Sequence, residues 1–310
     1  MKIAFIEPHL KCVGGIRRIV ETANRLIKFF GHQVDIYTPP GKPCQWLACA
    51  ATVKKISELH KDGYDVALFN LAEQYGIMKD VKAKLKVFWV LAPEAAYKEP
   101  TAPIQALKAG FFLLANSNYT VQYIRQHITY PKEIPVIPGG INKEHFKYDP
   151  TISKRYNILY YGSPRPWKGA QVVQAMLSGT SPRMLSFCKM EGKDTPQNKM
   201  YTLYNSADIY VSANLVEGFS FGQLEAMACG CAVVTTDDGG SRDYVKNMHN
   251  AIVVPRLPGH LYEAVVRVLT NKELKRTLVK NGLETANQVR FDWDSNTRIL
   301  EKVLREQIKN

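Results

Sequence analysis

Two carboxylates stand eight positions apart in the segment EGFSFGQLEAMACGCAVVTT, which runs from Glu217 to Thr236. A strand-like run, DIYVSAN, comes just before this segment, and the turn Gly-Phe-Ser-Phe-Gly leads from it into an apolar run. We predict a strand, a turn and then a helix from about Phe221 to Ala228. Glu217 then lies at the carboxyl edge of a sheet, and Glu225 projects from the second turn of the helix.

The start of this predicted helix brings together two kinds of polar group. The backbone N–H groups of Ser220, Phe221 and Gly222 have no acceptor within the helix, so they can donate to phosphate oxygens. The two carboxylates can accept hydrogen bonds from sugar hydroxyls. The same pattern also fits a capping carboxylate followed by a surface glutamate, and spacing alone leaves both interpretations open.

Two further turns carry cations at the start of a predicted helix. In HLKCVGGIRR, Gly14 and Gly15 precede a predicted helix, and Arg17 and Arg18 lie nearby. This pattern suits an anion, but it equally fits a flexible turn with surface arginines. It is not GxGxxG, which argues against a dinucleotide cofactor.

The second of these turns is YYGSPRPWKGA, where Arg165 and Lys168 flank a proline-rich turn and Gly169 follows. A helix start and two cations suit a diphosphate, because the helix dipole and the side-chain charges attract the same group. Solvated basic residues at a turn are the alternative.

The elements that position these turns alternate between strand and helix, which predicts parallel sheets covered by helices. The strand-like runs of the first half are KIAFIE, QVDIYT, YDVALFN, KVFWVLA, FFLLANS and IPVIPGG; those of the second half are YNILYYGS, LSFCKM, DIYVSAN, CAVVTT and AIVVP. The pattern restarts after a polar stretch near residues 145–156. We predict an α/β protein of two doubly wound Rossmann-like domains, followed by an amphipathic helix from Trp293 to Asn310.

Composition favours a cytoplasmic protein. None of the six cysteines forms a CxxC pair, no apolar run is long enough to span a membrane, and no signal peptide is evident. The net charge of +13 favours anionic partners. It is spread over both halves, and the local basic cluster is Lys79, Lys82, Lys84 and Lys86. We interpret that cluster as a solvated face, with contact to an anionic membrane or acceptor as the alternative.

The segment EGFSFGQLEAMACGCAVVTTDDGG resembles the E-x7-E signature of the retaining GT-B glycosyltransferases of family GT4. The resemblance extends along most of the chain, through the glycine turn near Gly15, the connection PVIPGGINKEHF, the loop YYGSPRPWKG and the terminal segment FDWDSNTRILEKVL. It implies two domains that face each other across a cleft: 1–146 on the acceptor side and 147–290 binding the nucleotide sugar. The helix 291–310 would return to the first domain.

The resemblance also implies roles for individual residues. Glu217 would contact the donor sugar, Glu225 the ribose, and Lys168 the leaving diphosphate. The other implied donor-binding residues are Gly15, Gly162, Gly218, Phe219, Ser220 and Phe221. The family commonly has Gly-Arg where this chain has Gly162–Ser163, so we assign Arg165 the role of the missing arginine.

Acceptor recognition in this family normally lies in the first domain. This chain has Ala92–Pro93–Glu94 where a histidine is often found, and we assign Glu94 and Arg17 to the acceptor side. We predict no metal and no cofactor beyond the donor substrate. The sequence Asp292-Trp293-Asp294 spells DxD, but it opens the terminal helix, so we interpret it as a helix cap.

The predicted function is therefore transfer of a sugar from a nucleotide diphosphate donor to an acceptor hydroxyl, with retention of stereochemistry. The expected partners are a nucleotide-sugar donor and a carbohydrate or lipid-linked acceptor, with peripheral membrane contact left open. A GT-B nucleotide-sugar epimerase and a non-catalytic nucleotide-sugar-binding partner of another transferase are the alternatives. Nucleic acid is not expected, because no recognised nucleic-acid module is present.

Overall fold

The computed structural model describes residues 1–61, 63–94, 99–179, 185–191 and 197–309. The chain divides into two compact units, Met1–Gly140 with Trp293–Asn310, and Ile141–Asp292. The sequence placed the first boundary at residue 146. The segment from 141 belongs to the second unit because Ile141 and Phe146 are buried in its core, and the Ile141 amide donates to the Phe291 carbonyl at 2.9 Å.

The first unit contains a parallel sheet of six strands in the order β3-β2-β1-β4-β5-β6. The strands are β1 Lys2–Ile6, β2 Gln33–Thr38, β3 Thr52–Lys55, β4 Tyr64–Phe69, β5 Ala83–Val90 and β6 Phe112–Ala115. Its helices are α1 Gly14–Phe30, α2 Tyr75–Asp80, α3 Thr101–Lys108, α4 Asn118–His127 and, from the end of the chain, α10 Trp293–Lys309. The strand order reverses between β1 and β4, as in a doubly wound sheet.

Helices cover both faces of this sheet because its strands are apolar on both sides. Ile3 and Phe5 pack on one face with side chains from α1 and with Leu300 and Leu304 of α10. Ala4 and Ile6 point the other way, into the core formed with α2, α3 and α4. The terminal helix is therefore part of the core of the first unit.

The second unit contains a parallel sheet of five strands in the order β11-β10-β9-β7-β8. The strands are β7 Tyr156–Gly162, β8 Phe187–Glu191, β9 Ala207–Ser212, β10 Ala232–Thr235 and β11 Ile252–Val253. The helices are α5 Ala170–Ser178, α6 Gln197–Asn205, α7 Phe221–Ala228, α8 Pro258–Thr270 and α9 Lys272–Ala286. Here the order reverses between β7 and β9.

Two strand predictions for the first unit are wrong. The run IPVIPGG forms an isolated bridge between Ala115 and Val136 and is not a strand of the sheet. The edge strand β3 was missed because its sequence, TVKK, is polar. Lys54 in this strand forms an ion pair with the buried Asp35 of β2 at 3.1 Å. A charged side chain therefore links the two strands where the sequence predicts an apolar one.

Candidate functional site

The candidate site lies at the carboxyl edge of the second sheet, where the strand order reverses. β7 pairs with β9 in parallel, so the loops that follow these strands start side by side. The loop after β7 carries Lys168, and the loop after β9 carries Glu217. Such a reversal is where open α/β sheets bind ligands, because the two loops diverge and leave a crevice.

Lys168 and Glu217 contact each other directly. The Lys168 ammonium donates to Glu217 Oε1 as an ion pair. The side chains keep 24% and 16% of their surface exposed, respectively, so both can reach solvent or a ligand. The sequence predicted both residues at the site, and the structure brings them together. What each binds stays a prediction.

The turn between Glu217 and α7 is tightly packed. A Cβ atom added at Gly240 would lie 2.4 Å from the Gly218 carbonyl carbon, so the two glycine backbones are in close contact. Phe219 is buried in the core, 5.6 Å from the ring of Tyr244. Its backbone therefore forms the turn while its side chain anchors it. Phe221 is partly buried and packs edge-on against the Phe219 ring.

Ser220 caps α7 with φ +54° and ψ 64°, a left-handed conformation that is uncommon outside glycine. The predicted helix from Phe221 to Ala228 is confirmed at both ends. Cys229 is its C-cap, and Gly230 adopts φ +74°, as expected for a glycine after a helix.

Glu225 is 2% exposed, which the prediction of a projecting glutamate did not anticipate. Its Oε2 accepts a hydrogen bond from the Tyr204 hydroxyl at 3.2 Å. One turn earlier in α7, Gly222 leaves room for the Tyr210 hydroxyl, which would lie 2.6 Å from an added Cβ. Glu225 is thus held among tyrosines on the inner side of α7.

The loop that carries Lys168 is tied to the loop after β9. The Leu215 amide donates to the Trp167 carbonyl at 2.7 Å, and the Arg256 guanidinium donates to the carbonyls of Ala213 and Pro166 at 2.8 and 2.9 Å. Sequence reasoning missed Arg256. It lies just beyond the β11 segment, and neither its type nor its spacing distinguishes it from a surface arginine.

Gly169 allows the loop that carries Lys168 to pack closely against the loop after β9. It has φ +71°, and an added Cβ would lie 1.9 Å from the Ala213 carbonyl oxygen. We expect Gly169→Ala to lower the free energy of unfolding by about 2–3 kcal/mol, because both the conformation and the contact oppose a side chain. Chemical denaturation measures this. Gly179→Ala, at the other end of α5, is the control: its φ is −79° and its nearest atom would be 3.7 Å away. Equal losses in the two variants would contradict the prediction.

Arg165 lies apart from the ion pair in this structure. It is exposed, and its guanidinium lies 5.9 Å from the centre of the Trp167 ring. Gly162 ends β7, where the Lys189 side chain of β8 crosses it; an added Cβ would lie 2.2 Å from Lys189 Cε. Lys189 is a further cation near this loop that the sequence analysis did not single out. The donor roles assigned to Arg165 and Gly162 stay predictions.

The remaining predicted residues belong to the first unit. Gly15 lies in the first turn of α1, and an added Cβ would make an ordinary contact with Leu91 Cδ1 at 3.8 Å. Arg17 is buried, with its guanidinium 5.9 Å from the Trp46 ring. Arg18 is also buried; it donates to the Ile137 carbonyl at 2.7 Å and lies over the ring of Trp89. The alternative that these arginines lie on the surface is therefore wrong.

A second polar group occupies the carboxyl edge of the first sheet, at its own reversal point. Glu7 follows β1 and accepts a hydrogen bond from Asn70, which follows β4, at 2.5 Å. Glu94, after β5, accepts from the Ala72 amide at 3.1 Å. Burial of Glu7, which is 0% exposed, raises its pKa from 4.5 to about 8, although the Asn70 hydrogen bond acts in the opposite direction. Glu7 therefore holds its proton at neutral pH.

Comparison with known proteins relates part of the second unit to a glycosyltransferase family. Residues 188–285 match the family model "Glycosyl transferases group 1". The chain is also 34% identical over 94 residues to an uncharacterized glycosyltransferase of Methanocaldococcus jannaschii. That match covers 30% of this chain and 24% of the relative, so the chain spans well under two thirds of the relative's length.

Solved structures match the fold along the whole chain. A sucrose-phosphate synthase from Thermosynechococcus elongatus has a TM-score of 0.80 at 17% identity, covering 100% of this chain and 99% of that one. The Anabaena protein HepE in complex with UDP-glucose has a TM-score of 0.80 at 17% identity, covering 99% and 100%. The GT-B fold predicted from the sequence is confirmed. The resemblance to group 1 glycosyltransferases is confirmed by the family match over residues 188–285.

The described parts of the chain contain no helix that is both long and apolar enough to cross a membrane. Over the same residues, no group of three or more His, Cys, Asp or Glu side chains is arranged to hold a metal ion. Asp294 of the DxD sequence lies in the first turn of α10 and pairs with Arg25 of α1 at 2.6 Å. Independence from a metal stays a prediction.

Proposed function

We propose that this chain is a retaining glycosyltransferase that moves a sugar from a nucleoside diphosphate sugar to an acceptor hydroxyl. The observation that carries the proposal is the Lys168–Glu217 pair at the reversal point of the second sheet. It lies beside the start of α7, within a unit whose residues 188–285 match the group 1 family. The UDP-glucose complex of the HepE structure supports a nucleotide-sugar donor.

The chemistry follows from the charges at this edge. As the bond between the sugar and the diphosphate breaks, negative charge grows on the diphosphate, and the Lys168 ammonium and the first N–H groups of α7 stabilise it. Glu217 accepts hydrogen bonds from the sugar hydroxyls. Glu225 is the residue assigned to the ribose; because it is 2% exposed, its action on the ribose would pass through neighbouring groups. The cation and the helix start lie on the side of the sugar from which the diphosphate leaves. The acceptor hydroxyl attacks the anomeric carbon from that same side, and the departing diphosphate takes the proton of the hydroxyl. Attack on the face that the diphosphate leaves retains the configuration of the sugar.

Recognition of the acceptor is proposed for the first unit. Glu94 and Arg17 are the assigned residues, and both are buried, so their action on an acceptor would pass through neighbouring groups. A carbohydrate or a lipid-linked sugar is the proposed acceptor, with the chain acting in the cytoplasm or peripherally at its membrane. The exposed lysines Lys79, Lys82 and Lys84 supply charge for such a contact.

The proposal predicts selective stabilisation by one nucleotide sugar. Melting curves are measured with UDP-, GDP-, ADP- and dTDP-glucose. A donor at about 100 times its Kd contributes about 2.7 kcal/mol, which corresponds to a rise in Tm of several degrees. Release of the nucleoside diphosphate, with and without candidate acceptors, then measures turnover. A stable chain whose melting curve none of the sugars moves would contradict the proposal. Isomerisation of the donor in the absence of an acceptor would instead establish that the chain is an epimerase.

The variant Glu217→Gln tests whether the stabilisation arises at the proposed site. It keeps the shape of the side chain and removes its charge, so we expect the rise in Tm to shrink or disappear. The matched control is Glu284→Gln, on the exposed side of α9 in the same unit. An unchanged rise in the Glu217 variant would place the nucleotide sugar elsewhere.

A further inference from the structure

Asp238 lies at the centre of the hydrogen bonds that hold the turn before α7. It follows β10, the neighbour of β9, and is 1% exposed. Its Oδ2 accepts hydrogen bonds from the Ser220 hydroxyl and from Gln223 Nε2, the latter at 2.9 Å. Its Oδ1 accepts from the Ser241 amide at 2.9 Å. One carboxylate thus joins three separate points of the chain.

The residue that Asp238 holds is the one with the unusual backbone. Ser220 adopts φ +54°, which a non-glycine residue keeps only where its surroundings fix it. Its hydroxyl is bound to Asp238, and its carbonyl accepts from the Tyr244 hydroxyl at 2.5 Å. The turn is therefore fixed through the side chain and through the backbone. The first N–H groups of α7 start from this residue, so their direction depends on it.

Asp238 also fixes Glu217 through the backbone. The Glu217 amide donates to the Asp238 carbonyl at 2.9 Å, and Glu217 forms a parallel bridge with Gly239. Two parts of the candidate site, the Glu217 backbone and the start of α7, are thus anchored on a single residue.

We propose that Asp238 is a positioning residue of the donor site: its carboxylate holds Ser220 and the start of α7 in the arrangement that binds the diphosphate of the donor. This inference rests on the proposed function. It assigns Asp238 no contact with the reacting atoms.

The charge of Asp238 makes this role depend on pH. Burial, and next the nearby Glu217 carboxylate, raise the pKa of Asp238 from 3.8 to about 6, although the Ser220 and Ser241 hydrogen bonds lower it. The Tyr244 hydroxyl also faces this group, and burial with Asp238 and Glu217 nearby raises its pKa well above 10, so it stays neutral. As pH falls through 6, the Asp238 carboxylate gains a proton and becomes a weaker acceptor for Ser220 and Gln223.

The experiment measures donor affinity against pH. The probe is UDP-glucose, with GDP-, ADP- and dTDP-glucose measured in parallel, because a nucleotide sugar has no phosphate group that titrates near neutrality. For the wild-type chain we expect Kd to rise about tenfold between pH 7.5 and pH 5, the cost of a weakened hydrogen bond to a charged group. Asp238→Asn, which is neutral throughout, should keep the weaker affinity at both pH values.

The adjacent Asp237 supplies the matched control. It is half exposed and pairs with Arg242 at 2.7 Å, and its hydrogen bonds with Arg242 hold its pKa below 3.8. Asp237→Asn should therefore keep the wild-type pH profile. If Asp238→Asn does not fold, Ser220→Ala replaces it: loss of the hydroxyl should weaken binding about tenfold at pH 7.5 and flatten the profile.

Three results would contradict these proposals. A flat profile in a wild-type chain that binds its donor would overturn the role of Asp238. So would an Asp238→Asn variant that melts earlier yet keeps the wild-type profile, since that result marks a purely structural residue. A wild-type chain that binds none of the four nucleotide sugars at any pH would overturn the proposed function itself.

Discussion

Lys168→Met is expected to lower kcat for sugar transfer about 10²–10³-fold while the chain stays folded. Removing one preorganised group that stabilises developing charge in a transition state costs this much in other enzymes. Charge on the diphosphate grows as the bond to the sugar breaks, so kcat should fall by more than KM rises. Steady-state rates over a range of donor concentrations separate the two effects.

The second unit offers a matched control in the pair between Lys275 and Asp208, at 2.5 Å. Asp208 lies near the start of β9, at the opposite edge of the sheet from Glu217. Lys275→Met removes a similar ion pair from a similar environment, so it should affect stability without affecting kcat. Comparable losses of kcat in both variants would show that Lys168 acts through stability alone, and the proposed role would fail.

Glu7→Gln is expected to stabilise the chain at alkaline pH. A raised carboxyl pKa means that the folded chain holds a proton that the unfolded chain releases, so the contribution of Glu7 to wild-type stability is greatest below pH 4.5 and falls as the pH rises to 8. A pKa of about 8 against an ordinary 4.5 corresponds to ~5 kcal/mol over the whole interval. Glutamine is neutral and avoids this loss. Relative to the wild-type chain, the variant should therefore gain ~4 kcal/mol of stability between pH 5 and pH 9.

Denaturant titrations at pH 5, 7 and 9 measure this difference. The control is Glu133→Gln, an exposed carboxylate of the same unit, which should follow the wild-type chain at every pH. If the difference in free energy of unfolding between the Glu7→Gln variant and the wild-type chain were the same at pH 5, 7 and 9, Glu7 would ionise normally. The burial argument would then fail.

The sequence predicted the site where local rules decide the structure. The helix from Phe221 to Ala228 follows from an apolar run that ends in Cys229–Gly230, and its bounds are confirmed. The resemblance to family GT4 assigns Lys168 and Glu217 to one site. In the structure they meet because each follows a buried strand of one parallel sheet, and the ends of neighbouring strands meet at one edge.

Long-range contacts decided what the sequence did not predict. Asp238 follows a strand, as Glu217 does, so its place at the edge could have been found, but its bonds to Ser220 and Gln223 depend on the packing of β10 beside β9. The sequence leaves open whether Arg18 serves an anion-binding turn or lies on the surface. In the fold it is buried, and its guanidinium lies 5.2 Å from the ring of Trp89 and 5.9 Å from that of Trp293, two residues distant in the sequence.

The two units differ in whether they are continuous in the sequence, and this difference has a consequence for folding during synthesis. The second unit is one continuous stretch, 141–292, whereas α10, the last helix of the first unit, is translated after it. On the ribosome the second unit has all its residues before the first has Leu300 and Leu304, which cover Ile3 and Phe5. A nascent chain thus carries an open apolar face on its first unit, a surface that chaperones recognise, until α10 is translated.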